Sequence, residues 1–402
     1  MAPHMMAQLF FLLLPTITRS FTSLPTSPLL SRRAPVPVVL RSTTTEAPPT
    51  PTAEQVAAQQ QDDYAKGLVT ISGITLIFAS NSPAIHACFA AGSESAAAPP
   101  VLLLNCATSL AALLGLVVGG PILDGATDRP KTLTTTSRQR DALLAGAELG
   151  TWKFLAVLAN IFGLSLTSAG HGAFLIQMTT LLVPLAQRLQ GVPIPPRIWG
   201  AIGLALSGVA LFTADPNSAA FADPRGDLLC VLAACFYATY DLRLFKWGSI
   251  VPPLDLITNK IAVQAGLSSA ALLASGLLGS GGSSGSSSSN ALADSITYVQ
   301  SLQEGGESSF LLVALVVIWS GVVVNGVASF LQVGGQQAIG PARAQVIYAS
   351  QPLWAAIMSF LLLHETVGPE GVVGGGLFLA AMFIAATAGP PDPECGVEVC
   401  EV

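Results

Sequence analysis

Residues 341–379 read PARAQVIYASQPLWAAIMSFLLLHETVGPEGVVGGGLFL, and their reading decides the fold. A helix of small and apolar residues holds Pro352 in its interior, a short loop carries Glu365, and a glycine-rich apolar helix follows. Sliding the chain along itself by 168 residues lays 340–380 on 172–212 without a gap. The match pairs Gly172 with Gly340, Gln177 with Gln345, Pro184 with Pro352, Leu185 with Leu353, Gly200 with Gly368, Gly203 with Gly371, Gly208 with Gly376 and Leu211 with Leu379. Eight identities in 41 positions are modest for so biased a composition. Their placement matters more, because each copy is a helix with a mid-helix proline, a short loop and a Gly-rich helix.

The rest of the chain has the same character. Hydrophobic residues make up 51% of it and charged residues 10%, against about 25% charged in a water-soluble domain. Apolar runs fall at roughly 68–90, 99–121, 142–167, 171–190, 197–213, 227–247, 254–278, 309–333, 342–363 and 371–389. Each is about the length of a membrane-crossing helix. The expectation is an all-α integral membrane protein of ten transmembrane helices. Gly115/Gly119, Gly146/Gly150 and Gly371/Gly375 have the GxxxG spacing that lets such helices approach closely.

The distribution of positive charge checks that count. With residue 66 placed inside, Lys66, Arg129, Lys131, Arg138, Arg140, Arg188, Arg197, Arg243, Lys246 and Arg343 fall inside, and only Arg225 falls outside. Omitting the shortest run, 197–213, turns ten against one into eight against three. The segment from Gly279 to Ser309, with its Gly/Ser tract, has no Lys or Arg. It is read as an outer linker.

The two copies occupy spans four and five and spans nine and ten. Five is odd, so the second copy enters the membrane from the opposite side. Inverted repeats of this kind build secondary transporters, whose substrate site lies near the midplane between the halves. These residues resemble the EamA-type members of the drug/metabolite transporter superfamily. The small-residue start at 341, Pro352, Glu365 and the Gly-rich final helix carry the likeness, together with IFASNSPAIH at 77–86. Where that family usually has Trp-Gly and often a Lys in its first helix, this chain has Phe78-Ala79 and His86, and Arg197 stands where the first copy would hold the loop Glu. The resemblance covers about residues 67–389. It implies two inverted five-helix repeats, 67–213 and 226–389, and a short tail at 390–402. It leaves the substrate open, since relatives carry amino acids, nucleotide sugars, sugar phosphates and other metabolites.

Residues 1–64 differ in kind. They are rich in Ser, Thr, Pro and Ala, with Arg19, Arg32, Arg33 and Arg41 and no acid before Glu46. Leu9 to Leu14 is too short to span and is followed by Pro15. A cleavable presequence is expected, a signal core followed by a transit-like segment. The order resembles the bipartite presequences of algae with secondary plastids, which implies a plastid envelope. Another endomembrane or the plasma membrane is the alternative.

Lys153 is the sharpest candidate for contact with a substrate. Counted from residue 142 it lies roughly 16 Å deep, too far for its ammonium to reach water easily. A charge there needs a partner, such as Glu148 or Asp241, or a wet cavity. Glu148 is five residues away, on a different face of the helix. Asn160, two turns on, shares the face of Lys153. Lys260, with Asn259 and Gln264, lies nearer the inner end of span seven, as an interfacial anchor or a second cation. Asn81-Ser82-Pro83 is expected to break helix one and let freed backbone groups line a cavity; His86 and His171 read as solvated. Asn325, Ser329 and Gln332 line one face of span eight, Tyr348 and Gln351 one of span nine, and Gln177 and Thr180 one of span four. Interhelical hydrogen bonding accounts for any one of these lanes. Together they point to a shared cavity.

No GxxxxGK[ST] loop occurs, so transport driven by ATP is not expected. The acids well within the spans are Glu148 and Asp241, and His364-Glu365 lies in a loop without a second ligand, so neither a catalytic nor a metal constellation is expected. The cysteines Cys88, Cys106, Cys230 and Cys235 read as small core residues, and Cys395 and Cys400 as inert in the tail. Expected partners are a small-molecule substrate and membrane lipid, with a homodimer allowed; no nucleic acid and no cofactor are expected. The reading is a gradient- or exchange-driven transporter of a small organic metabolite or amino acid. Lys153 and Lys260 keep a triose-phosphate-translocator-like anion exchanger as runner-up, although its late Lys-Arg pair is missing here. A passive channel or a structural membrane protein is the reading from another class.

Overall fold

The computed structural model describes residues 53–92, 100–125, 136–164, 166, 175–212, 224–279, 291–304, 307–363 and 369–388. Every described element is helical: α1 (Ala53–Gly92), α2 (Val101–Gly125), α3 (Thr136–Leu164), α4 (Thr179–Leu189), α5 (Pro196–Phe212), α6 (Pro224–Gly248), α7 (Pro253–Gly279), α8 (Ala291–Glu304), α9 (Glu307–Ile318), a π-helical stretch (Trp319–Ala328), α10 (Ser329–Ile339), α11 (Pro341–Tyr348), α12 (Gln351–Leu363) and α13 (Pro369–Ala386). Five helices are long and apolar enough to cross a membrane, Leu102–Gly120, Gln139–Gly163, Pro224–Gly248, Pro253–Gly276 and Phe310–Ile339. Two shorter apolar helices are Pro196–Leu211 and Val372–Ala386. Valines and leucines such as Val117, Val118, Leu311, Leu315 and Val372 point outward, exposed. A protein facing water would leave an uncovered apolar band; acyl chains cover it without cost.

Three apolar cores hold the bundle together. Leu149, Trp152 and Ala156 of α3 pack with Phe236 and Tyr240 of α6 and Ile257 and Ile261 of α7. Ile198, Ile202 and Val209 of α5 pack with Phe378, Ala381 and Ala385 of α13. Ile71 and Ile74 of α1 meet Ala344 and Ile347 of α11, and Ala328 ahead of α10. Small residues set how closely the helices approach. A Cβ on Gly150 would lie 2.6 Å from the Lys260 carbonyl oxygen, so α3 and α7 touch backbone to backbone there. Gly115 lies against Val322, whereas Gly119 faces open space. The GxxxG spacing at 115/119 is therefore a contact at one end only.

The structure revises the sequence reading at several places. Helix one begins at Ala53, ahead of the apolar run at 68–90, and Tyr64 is buried with its hydroxyl donating to the carbonyls of Ala385 and Ala386 at 3.3 and 3.2 Å. Close by, the hydrogen bond and charge of Asp62 hold the ammonium of exposed Lys66 above its ordinary pKa. The break expected at Asn81-Ser82-Pro83 does not occur, for α1 runs on to Gly92. Pro83 removes one intrahelical bond, which a packed helix tolerates. The outer linker is not all linker: α8 buries Ser295, Tyr298 and Leu302, whose three- and four-residue spacing makes one inward face. Span eight continues past 333 to Ile339 and changes to π-helix in its middle. It ends at Gly340, whose φ of 81° and ψ of 153° only glycine adopts readily, with Pro341 opening α11. Span nine divides at Ala349-Ser350, just ahead of Pro352, which offers no N–H to the preceding turn. Residues 1–52 of the expected presequence, His171, Glu365, the Gly/Ser tract from 280 and the tail cysteines lie outside the described residues.

Candidate functional site

Asp241 is the hub of the only buried polar network that draws on several helices among the described residues. It stands in the second half of the span Pro224–Gly248 on α6, with Tyr237 one turn before it and Tyr240 its neighbour in sequence. Its carboxylate accepts from three glutamine amides: Gln332 Nε2 at 3.2 Å and Gln336 Nε2 at 3.3 Å on Oδ1, and Gln345 Nε2 at 2.6 Å on Oδ2. Gln332 and Gln336 are one turn apart on α10, and Gln345 comes from α11. A carboxylate so deep in a bilayer is expensive unless its oxygens are satisfied. Here both are.

Two lysines flank the same tyrosine. The Lys153 ammonium on α3 lies 4.7 Å from the centroid of Tyr237 and 5.1 Å from that of Tyr240. The Lys260 ammonium on α7 lies 5.6 Å from the centroid of Tyr240 and donates to Asn325 Oδ1 at 3.2 Å. Both lysines and Asp241 are within electrostatic reach of one another. Lys153 is partly exposed while Lys260 has no accessible surface at all. The interfacial, snorkelling role considered for Lys260 is thus ruled out: its helix enters between α2 and α3, and its stem points into the bundle.

Glu148 is not the partner of Lys153. Its carboxylate is held by Arg243, which donates from Nη2 at 2.7 Å and pairs through Nε, and by Trp247 Nε1 at 2.8 Å. Glu148 and Lys153 are on different faces of α3, and Glu148 meets the end of α6 instead. Among the described residues no carboxylate oxygen lies within 4 Å of Lys153 Nζ.

Of the residues singled out from sequence, the structure brings Lys153, Lys260, Asn325 and Gln332 into this network and sets Tyr348 beside it. Tyr348 is buried, within electrostatic reach of Asp241 and Tyr240, with its ring 6.0 Å from that of Phe78. Asn81, Asn160, Gln177 and Gln351 make no hydrogen bond to the network among the described residues. Asn81 and Asn160 each keep a buried amide oxygen without a partner. The hub itself, Asp241, had been read only as a candidate partner for Lys153, and Gln336 had been missed. The signal was present in the spacing of Gln332 and Gln336 and in the pairing of Gln345 with Gln177 across the two copies. The π-helix had no sequence signal beyond Gly321, where a Cβ would lie 2.6 Å from the Thr108 carbonyl oxygen of α2. Its wider turn carries Asn325 to Lys260, and such turns are frequent at functional sites.

No family model matches the sequence, and no curated protein matches it. Its fold is similar to that of a solved chain described as "Crystal structure of protein", with a TM-score of 0.57 and 14% identity over 80% of this chain and 98% of that one. Fold and site together define an all-α protein whose apolar helices are compatible with a place in a membrane and whose interior holds ionisable side chains.

Proposed function

We propose that this chain is a secondary transporter of a small organic metabolite or amino acid, of the EamA type, working by alternating access between two inverted five-helix repeats. The observation that carries the reading is the set of ionisable side chains inside the bundle on helices of both halves: Lys153 on α3, Asp241 on α6 and Lys260 on α7. Ionisable side chains at that depth are expensive and mark substrate or ion pathways. The two lysines favour an anion exchanger as the second reading.

Helix packing supports the repeats. Let α1 to α7 be spans one to seven, α9 through α10 span eight, α11 with α12 span nine, and α13 span ten. The principal pairings are then three with six and seven, two with seven and eight, one with eight and nine, four with six and nine, and five with ten. Exchanging every span for the one five places away turns this set into itself. Three-six becomes eight-one, three-seven becomes eight-two, and one-nine becomes six-four. A two-fold relation between halves demands that pattern.

The test is topological. In sealed vesicles an impermeant thiol reagent is expected to reach Cys395 and Cys400 from the side of the 129–140 loop, and a cysteine introduced at Ser287 from the other side. Labelling of both from one side overturns the ten-span arrangement.

The presequence reading rests on the acid-free, arginine-bearing start, and the burial of Tyr64 sets its limit: removal must end before Tyr64. Residues 1–60 fused to a fluorescent protein are expected to reach a plastid. Uniform secretory or mitochondrial fluorescence contradicts it.

A further inference from the structure

Around Tyr240 the described residues hold two ammonium groups, on Lys153 and Lys260, and one carboxylate, on Asp241. One of the two lysines is thus left without an acid of its own. Lys260 is occupied by Asn325, and Asp241 by three glutamine amides. Lys153 has only ring faces for company, and it is the lysine that keeps accessible surface. On the ring that Lys153 faces, the Tyr240 hydroxyl is buried and makes no hydrogen bond. A lysine without an ion-pair partner and an unused O–H donor sit against one aromatic wall inside an apolar bundle.

We propose that Lys153 and Tyr240 form the anion-binding end of the substrate site, and that the substrate is an organic monocarboxylate with an apolar body. This rests on the transport reading and narrows its substrate class. One carboxylate supplies the ion-pair partner that Lys153 lacks. A phosphate monoester brings nearly two negative charges, and among the described residues no arginine fork stands at the site to hold it in bidentate fashion. An amino acid brings an ammonium that needs a carboxylate, and both oxygens of Asp241 are already engaged. The rings of Tyr237 and Tyr240 offer the body apolar faces.

The experiment uses three probes that share a body: phenylpyruvate, phenylalanine and phenyl phosphate, with pyruvate as the small member of the series. The readouts are thermal stabilisation of the purified protein and counterflow in proteoliposomes. Phenylpyruvate is expected to raise Tm more than phenylalanine or phenyl phosphate does. In Lys153→Met the unliganded Tm is expected to hold, since no carboxylate depends on this lysine alone, and the shift is expected to disappear. Lys153→Arg keeps the charge and serves if Lys153→Met does not fold; it is expected to retain part of the shift. Tyr240→Phe is expected to weaken binding about tenfold, as for one lost hydrogen bond to a charged group. Larger stabilisation by phenylalanine or phenyl phosphate, an undiminished shift in Lys153→Met, or no shift with either monocarboxylate overturns the assignment. Stabilisation that depends on Lys153 without counterflow of any probe leaves the site standing and overturns transport. Counterflow of an amino acid or phosphate that ignores Lys153 does the reverse.

Discussion

Asp241→Leu is expected to destabilise the protein by about 3–5 kcal/mol, the loss that follows when one member of a buried charge network is removed and its partners stay. Gln332, Gln336 and Gln345 lose their common acceptor. Lys153 and Lys260, which repel each other across Tyr240, lose the one carboxylate that offsets them. Leucine fills the space and satisfies none of these groups. Asp241→Asn keeps the shape and one acceptor oxygen, so its cost is expected to be smaller, about 1–3 kcal/mol. Thermal unfolding in detergent measures both. A loss under about 1 kcal/mol in Asp241→Leu would show that the glutamines find other partners and that the hub is not what holds α6, α10 and α11 together. Glu148 provides a contrast, because its pair with Arg243 is partly exposed.

Gly150→Leu is expected to cost at least the 1–3 kcal/mol typical of overpacking, and more if α3 cannot shift. Even a Cβ would lie 2.6 Å from the Lys260 carbonyl oxygen and 2.7 Å from Val263 Cβ. One turn away, a Cβ on Gly146 would lie 2.8 Å from the Asn259 carbonyl carbon. Backbone atoms do not swing aside as a flexible side chain does. The separation of α3 and α7 also sets the separation of Lys153 and Lys260, so binding should fall with stability. Gly119→Ala is the control: it stands at the same motif spacing in open space, and its effect is expected to stay within about 0.5 kcal/mol. Equal effects at the two positions would mean that the α3–α7 contact is looser than drawn.

Helical character and the apolar runs were legible because burial in lipid forces long runs of one composition. Lys153 was legible for the same reason: a charge at mid-span stands out against leucine and alanine. The sequence could not say which groups a charge meets. Glu148, disfavoured by its face of the helix, and Asp241 were both named for Lys153 until Arg243 and Trp247, from the far end of α6, proved to hold Glu148. Lys260 looked like an interfacial anchor because depth was counted along its helix, whereas burial depends on which face the neighbours cover. The break at Pro83 was over-read, since one missing hydrogen bond is tolerated where a helix is packed. Pro352 was read as lying inside one helix, whereas the helix divides just ahead of it. Helix α8 was hidden because a Gly/Ser tract coloured the whole segment, although Ser295, Tyr298 and Leu302 already carried an inward face.

Counterflow in sealed proteoliposomes tests the transport assignment most directly. Vesicles are loaded with an unlabelled monocarboxylate, diluted into labelled substrate without ATP, and followed in time. A carrier is expected to take up label transiently above equilibrium, to saturate, and to lose the overshoot in Lys153→Met. Uptake that rises linearly with concentration, shows no overshoot and is unchanged in Lys153→Met would mark a passive pore and contradict alternating access.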